Sequence, residues 1–463
     1  MAYLTHACLL LLTLCATTQD LAAQERGRFR RGGQQRPEAP TPEAPKPDAE
    51  APKKPKSYTA IVGGDVYLGT GQRLTGATVL VADDKIDSVG HNLTLPEGTK
   101  VIDAKGKVVS PGFTCVMGGG MGAGRNSPFV DSVNPFDPEI KQALAAGITS
   151  FLAGNAGSGN TPSGDNAVIK LAWGDVAGMV ALENTVCGMT VPMTLADKEK
   201  FADLVKKAKE HRAALDEFTK TKANDANAKP PQAPQGSEKI LKVLAGESRL
   251  WIQIGGGGGG DPFGMGRRGG GRSQGNDVDG IRQALEVAQM LGVGVVLNKP
   301  VCAWLVPDEI AATGSLVILS PRDRTAADPT NPDRTGSNIA SSAILAESGV
   351  GVAVTCPGGM FGGAGVGTGG ILGQDLNTPH VDAAFAVRGG LDNRKALRTL
   401  TLDAARAIGI DRRLGSLEPG KDADILILDG DPLHYRTFVE AALVNGKVVY
   451  EKDKEPFYRH IQR

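Results

Sequence analysis

From Ser57 onward, apolar and polar residues alternate in short runs: TAIVGGDVYLG, ATVLVADDKIDSVG and KVIDAKGKVVSPGF, broken by Gly and Asp. A period of two with such turns predicts a small β-sheet. After Pro111 the spacing changes. PEIKQALAAG reads as a helix and ITSFLAG as a strand. ADKEKFADLVKKAKEHRAALDEF predicts a long helix with a polar face, RLWIQI a strand, and DVDGIRQALEVAQMLG a helix with apolar residues at helical spacing. GVGVVLNKP, SLVILSP and GVGVAVTCP are short apolar runs of the kind buried on both faces of a parallel sheet. NRKALRTLTLDAARAIGI predicts one last helix, and β-patterning returns in DADILILDG and AALVNGKVVYEKD.

Strands at both ends with βα units between them predict an α/β architecture of two parts. The chain ends pair into a small β-sandwich, residues 57–110 and 413–455, while residues 111–412 close as a (β/α)8 TIM barrel. Residues 456–463 form a tail. Ahead of this, Ala7 to Ala16 is an apolar run too short to span a bilayer. With the small residues Ala22 and Ala23 behind it, it reads as a signal peptide over 1–23, implying export to the periplasm or cell surface. Residues 24–56, rich in Pro and charge, read as a disordered linker.

Lys+Arg and Asp+Glu balance at 51 each among 463 residues, which removes the electrostatic case for nucleic acid as a partner. Three low-complexity insertions, 222–237, 254–277 and 357–375, read as loops, and those at 254–277 and 357–375 follow strands. The poly-Gly stretch lacks the GxxxxGK[ST] spacing of a phosphate loop. Four cysteines remain beyond the signal: Cys115, Cys187, Cys302 and Cys356. Export permits disulfides, but four thiols in a chain of this length are not a disulfide scaffold.

Two motifs carry a resemblance. VIDAKGKVVSPGF (101–113) and LDAARAIGIDRRLGSLEPGKDADILILDGDPL (402–433) resemble the amidohydrolase superfamily, especially its imidazolonepropionase-like members. AGNAGSGNTPSGDNAVIKL (153–171) is similar to a Gly/Ser/Asn-rich segment of one subgroup. The resemblance implies a sandwich plus barrel and an ancestry in hydrolysing C–N bonds of small cyclic amides. It also implies Zn or another divalent ion, held by His and carboxylate, that activates a water. By the same resemblance, the first-strand histidine pair falls at Met117 and Gly119, with Cys115 before them. The strand-five histidine falls near Gln253, the strand-six position near Asn298, and the eighth-strand aspartate at Pro357. No matched position keeps a metal-ligating side chain, so no cofactor is expected.

The candidate binding residues are therefore Cys115, Gln253, Asn298, Lys299, Arg322, Cys356 and His380, with Cys302 and Ser320 beside them. Cys115 and Cys356 end the first and last barrel strands and could form a disulfide or hold a soft metal. Lys299 at a strand tip could hold an anion. Lys170 in AVIKLAWG reads as structural. The sequence predicts an exported pseudohydrolase that binds a small molecule, or that forms a homo-oligomer or pairs with an active homologue, with no membrane span. An active C–N hydrolase with an unorthodox site is the alternative, and a surface interaction module a third reading.

Overall fold

The computed structural model describes residues 56–124, 127–222, 230–255, 276–355 and 379–456. The expected signal peptide, most of the linker and Gly-rich insertions, Cys356, Pro357 and nearly all of the tail lie outside them. The first five strands are β1 (Tyr58–Tyr67), β2 (Arg73–Ala82), β3 (Lys85–Gly90), β4 (Lys100–Asp103) and β5 (Val108–Pro111). The middle of the chain holds β6 (Phe113–Cys115), α1 (Pro138–Ala145), β7 (Ile148–Asn155), β8 (Asp165–Lys170), α2 (Val176–Met179), β9 (Val180–Glu183) and β10 (Val186–Val191). It continues with α3 (Leu195–Lys222), α4 (Glu238–Ala245), β11 (Arg249–Ile254), α5 (Val278–Leu291), β12 (Val296–Asn298), α6 (Pro307–Ala312), β13 (Leu316–Leu319), α7 (Ser341–Glu347) and β14 (Gly351–Val354). The chain then runs through α8 (Pro379–Arg388), α9 (Asn393–Leu400), α10 (Leu402–Ala407), β15 (Ile425–Leu428), β16 (Val439–Val444) and β17 (Lys447–Glu451).

The two chain ends share one sheet, in the order β17-β16-β15-β5-β1-β2-β3, with β4 also paired to β1. The join is the antiparallel pairing of β15 with β5, Ile425 opposite Pro111 and Leu428 opposite Val108. Ile61, Val79, Val109, Ile425, Ile427 and Leu443 bury a common apolar face there. The alternation in the sequence is the pattern of that half-buried sheet.

In the middle, β10 to β14 form a parallel five-stranded sheet and β6 to β9 a four-stranded one. One apolar cluster receives a side chain from each of eight strands or strand ends: Val116, Leu152, Val168, Val186, Trp251, Val296, Ile318 and Ala353. Helix α10 closes one end of it, and the Trp251 indole donates to the Ala407 carbonyl at 2.7 Å. Helix starts and stops follow local chemistry. Asp137 caps α1 by accepting from the Glu139 amide, with Pro138 at the first position, and α5 stops at Gly292 in the left-handed region, φ 76°.

Two elements differ from the sequence expectation. The single helix expected over 393–410 is two, α9 and α10, broken at Thr401 (φ −118°, ψ −94°). There Gly415 packs so closely that a Cβ on it would meet Leu402 Cα at 2.8 Å and the Thr401 carbonyl at 2.9 Å. Second, β8 runs antiparallel to β7, and β9 antiparallel to β8, where parallel βα units were expected. The nine-residue connection 156–164 holds no helix and folds back onto β10. Ser163 and Gly188 exchange backbone hydrogen bonds of 3.1 and 2.8 Å, and the Thr190 amide donates to the Gly159 carbonyl at 2.7 Å. A Cβ at Gly188 would lie 2.4 Å from the Gly157 carbonyl, so only glycine permits this approach.

The seam between β8 and β10 is completed by a side chain. Asn166 is fully buried, and its amide donates to the carbonyls of Val186 (2.8 Å) and Asn155 (3.1 Å) while accepting from the Val186 amide (3.2 Å). It supplies the donor and acceptor that a neighbouring strand's backbone would otherwise give.

Because β8 is reversed, its last residue, Lys170, lies beside Ser150 near the N-terminal end of β7. Its ammonium is fully buried and meets Asp422 at 2.8 Å, Asp424 at 2.9 Å and the Asn445 side-chain carbonyl. Asp422 also takes Arg413 at 2.7 Å and Lys85. Lys170 thus ties the middle of the chain to its returning end, which bears out the structural reading of this residue. Burial pushes the Asp422 carboxyl up, but Lys170, Arg413 and Lys85 overcome it and hold it well below the usual range. For Asp424 burial wins over Lys170, and the net direction is upward.

Replacing Lys170 with Met leaves the buried Asp424 without its cation and takes one of three from Asp422, and we expect a loss of about 3–5 kcal/mol in urea unfolding. A loss below about 1 kcal/mol would reduce the cluster to the worth of an exposed ion pair. The Asp422 share has a defined sign. Its folded pKa is depressed, so the contribution is complete above the unfolded value of about 3.9 and is lost as pH falls below it. Asn166→Leu should cost about 2–5 kcal/mol by orphaning both backbone groups of Val186. Hydrogen exchange at the Val186 amide should accelerate in that variant, and unchanged protection would refute the seam role.

Candidate functional site

The parallel sheet β10–β14 has one C-terminal edge, and four of the sequence-predicted residues, Gln253, Asn298, Lys299 and Ser320, lie along it. Register sets their positions: Trp251 pairs with Val296, and two residues on, Gln253 pairs with Asn298. Trp251 and Val296 point into the shared apolar cluster. Strand alternation therefore puts Gln253 and Asn298 on the same face, one layer nearer the C-terminal edge. Ser320 extends β13 two residues beyond the inward Ile318, and Met117 at the end of β6 leans on the same cluster. Gln253 is exposed, and Met117, Asn298 and Lys299 are half-buried.

Lys299 follows Asn298 with φ 54°, a left-handed conformation that costs a non-glycine residue energy. Its amide donates to the Ile318 carbonyl at 3.0 Å, which fixes the bend to the neighbouring strand. Among the described residues, the side chains of Gln253, Asn298 and Lys299 have no hydrogen-bond or ion-pair partner. The Ser320 hydroxyl is buried and also lacks one. Across three adjacent strand ends, four polar side chains are presented and left unpaired. Asn166 and Lys170, by contrast, are fully partnered, while a few other buried atoms, among them the Thr185 and Ser248 hydroxyls and one Asp424 oxygen, also lack a partner. Of the four, only the Ser320 hydroxyl is buried and carries the cost of an unmade hydrogen bond; the other three can be solvated.

Nearby acids are already committed. Asp277 accepts from the amides of Val301 (2.7 Å) and Cys302 (2.8 Å), and so orders the turn after Lys299. Asp137 and Glu139 accept from Gly122 and Met121, each at 2.9 Å, and pin the loop that follows β6. Gly119 in that loop is exposed with open space around it.

Other expected residues sit differently. Cys115 is buried in the cluster that Phe113, Phe151 and Ile140 share, not in the one beneath Gln253 and Asn298. Burial pushes its thiol up to about 12. Cys302 is fully buried with its thiol 3.7 Å from the Gly336 carbonyl, and burial raises it to about 11. Cys187 is likewise buried and raised to about 11. None of the three is an activated thiolate. Arg322 makes a two-pronged bond of 2.9 and 2.8 Å to the fully buried Asp382, bracing the end of β13 against α8. His380 opens α8, half-buried, with burial lowering its pKa to about 4. Cys356 and Pro357 lie outside the described residues. The residues that the sequence reading left out are Asp422 and Asp424, whose signal was the two-residue spacing of acids in KDAD.

The Amidohydrolase family profile matches residues 136–454, more than two thirds of the chain. The chain belongs to the amidohydrolase family. Curated relatives match over short stretches. A dihydroorotase of Lactobacillus helveticus is 50% identical over 58 residues, 12% of each chain. A 5-methylthioadenosine/S-adenosylhomocysteine deaminase of Symbiobacterium thermophilum is 34% identical over 71 residues, 12% of this chain and 16% of its own. The chain thus matches under a fifth of the length of these relatives. A crystal structure of an amidohydrolase from Thermotoga maritima superposes with a TM-score of 0.59 at 22% identity, covering 85% of this chain and all of that one. It shares the fold.

In this amidohydrolase-family chain, no group of three or more His, Cys, Asp or Glu side chains that could hold a metal ion occurs among the described residues. The buried thiols give a direct check on the geometry. In the folded protein at pH 8, Cys115 should resist an aromatic disulfide reagent and react only as fast as the chain unfolds. Prompt native-state labelling of Cys115 would place it on an accessible edge instead.

Proposed function

We propose that this amidohydrolase-family protein binds a small molecule at the C-terminal edge of β10–β14, without the water-activating metal that the resemblance implies. The observation that carries this is the unpaired arc of Gln253, Asn298, Lys299 and Ser320. In this reading the two sheets close into one barrel around the eight-strand apolar cluster, and the arc lies at its mouth. Such folds place their sites at that face. The relatives' names point to C–N hydrolysis as the ancestral chemistry, and the motifs to the imidazolonepropionase-like branch.

The donor set supports metal-free binding. Met117 offers a neutral thioether, Gly119 nothing, and Gln253 and Asn298 carboxamides. None is the imidazole or carboxylate that a catalytic zinc site uses. Two side-by-side carboxamides instead offer paired donors and acceptors to a polar ligand. The protein then acts as a pseudohydrolase, a binder or a partner of an active homologue, exported by its N-terminal segment.

Elemental analysis of the untagged full chain, purified without chelators, tests the metal question. We expect less than stoichiometric Zn, Mn, Fe or Ni, and no change in thermal midpoint on dialysis against EDTA. One tightly held metal per chain, with cyclic-amide hydrolysis that disappears on its removal, would sink the proposal and favour an active hydrolase.

A further inference from the structure

Resting on that reading of the arc, we infer that Lys299 is its charge anchor and that the ligand is a small organic monoanion, a carboxylate. Gln253, Asn298 and Ser320 contact the ligand's uncharged polar groups.

Three observations converge. First, the charges at this edge are unevenly committed. Arg322 is held by the buried Asp382 through two hydrogen bonds, and Asp277 is held by two backbone amides, whereas Lys299 has no partner among the described residues. Lys299 is half-buried and follows Asn298 directly, so it brings a positive charge to this strand end, and its complement is a negative one. Second, the surroundings do not suit a phosphate. A dianion is usually met by an arginine fork or a run of backbone amides at a helix start. Here the strand ends carry a lysine, two carboxamides and a hydroxyl, and the nearby Val301 and Cys302 amides already serve Asp277.

Third, the lysine is held in place at a cost. Its φ of 54° is a conformation that glycine would adopt freely, and the hydrogen bond to Ile318 fixes it. Strain at a side chain with no internal partner marks a residue placed for an external one. The same strain yields a clean test. Lys299→Gly removes the ammonium while suiting the left-handed backbone, and its thermal midpoint separates lost binding from misfolding.

The probes are acetate, benzoate and N-acetylglycine against acetamide, benzamide and N-acetylglycinamide, followed by protein NMR shifts in the full chain. Carboxylates should bind with affinity that falls as salt is raised. Lys299→Gly should weaken them about tenfold or more while leaving the amides unchanged. Lys299→Arg should retain most carboxylate binding, and thermal midpoints should show the glycine variant at least as stable as the parent. Amides that bind while carboxylates do not, or carboxylates indifferent to Lys299→Gly, would overturn this inference and leave the arc as a neutral binding site. If no probe of either kind shifts resonances near Gln253 and Asn298, this inference and the binding-site reading both fall.

Discussion

The buried ammonium of Lys170 is the constraint around which the rest of this chain is arranged. An unpaired charge in a protein interior is costly enough that it must either lose its proton or find anions. Its anions come from residues 422 and 424, about 250 positions away, and they can reach it only if the second set of sheet strands returns beside the first. The pairing of β15 with β5 starts immediately after Asp424. Arg413 ties the same Asp422 to the Ala181 carbonyl of β9, and Lys85 ties it to β3. One carboxylate therefore joins the entering strands, the middle of the chain and the returning strands. An apolar contact of similar area would hold them together but would not fix their register, because only a charge penalises a slip so steeply.

The reversal of β8 is what makes this contact possible. A strand running parallel to β7 would carry its last residue to the C-terminal edge, away from the returning sheet. The antiparallel turn carries Lys170 to the opposite end and leaves Asn166 and the 157–163 connection to seal the gap toward β10. One end of the sheet layer thereby holds a network of buried ion pairs and hydrogen bonds. The other end keeps polar side chains without partners. The strongest ion pairs of the described residues are thus concentrated at the end opposite Gln253 and Asn298.

Most of the fold was legible in the pattern because its elements are strongly periodic. RLWIQI, SLVILSP and DVDGIRQALEVAQMLG appear as β11, β13 and α5, and both terminal β-regions appear in one sheet. Two features were hidden, each for a physical reason. DNAVIK reads the same whether its strand runs up or down, since alternation carries no direction, and the decision rests on a lysine whose partners lie across the chain. NRKALRTLTLDAARAIGI has helical spacing throughout, and its break at Thr401 is imposed by the close approach of Gly415, which no local window contains. At the candidate site, adjacent strands brought Gln253 and Asn298 together as the pattern implied. Arg322 looked available in sequence only because its partner Asp382 comes from a helix 60 residues on. Cys115 lies at the right strand end but its side chain falls on the opposite face from Val116, into the Phe113 cluster.

That alternation of faces bears on what the arc can do chemically. A hydrolase of this family needs a group that makes water a nucleophile near neutral pH, either a metal or a base whose pKa lies near 7. Burial moves Cys115, Cys302 and His380 away from that window. The buried thiols are raised to about 11 or 12, so they stay protonated and weakly nucleophilic. His380, lowered to about 4, is neutral at pH 7 but too weak a base to take a proton efficiently. Carboxamides do not titrate at all. On the reading proposed above, the arc serves the placing and orienting of a polar ligand. The same reading gives the left-handed turn at Lys299 its use, since it sets a cationic side chain at the strand end next to Asn298.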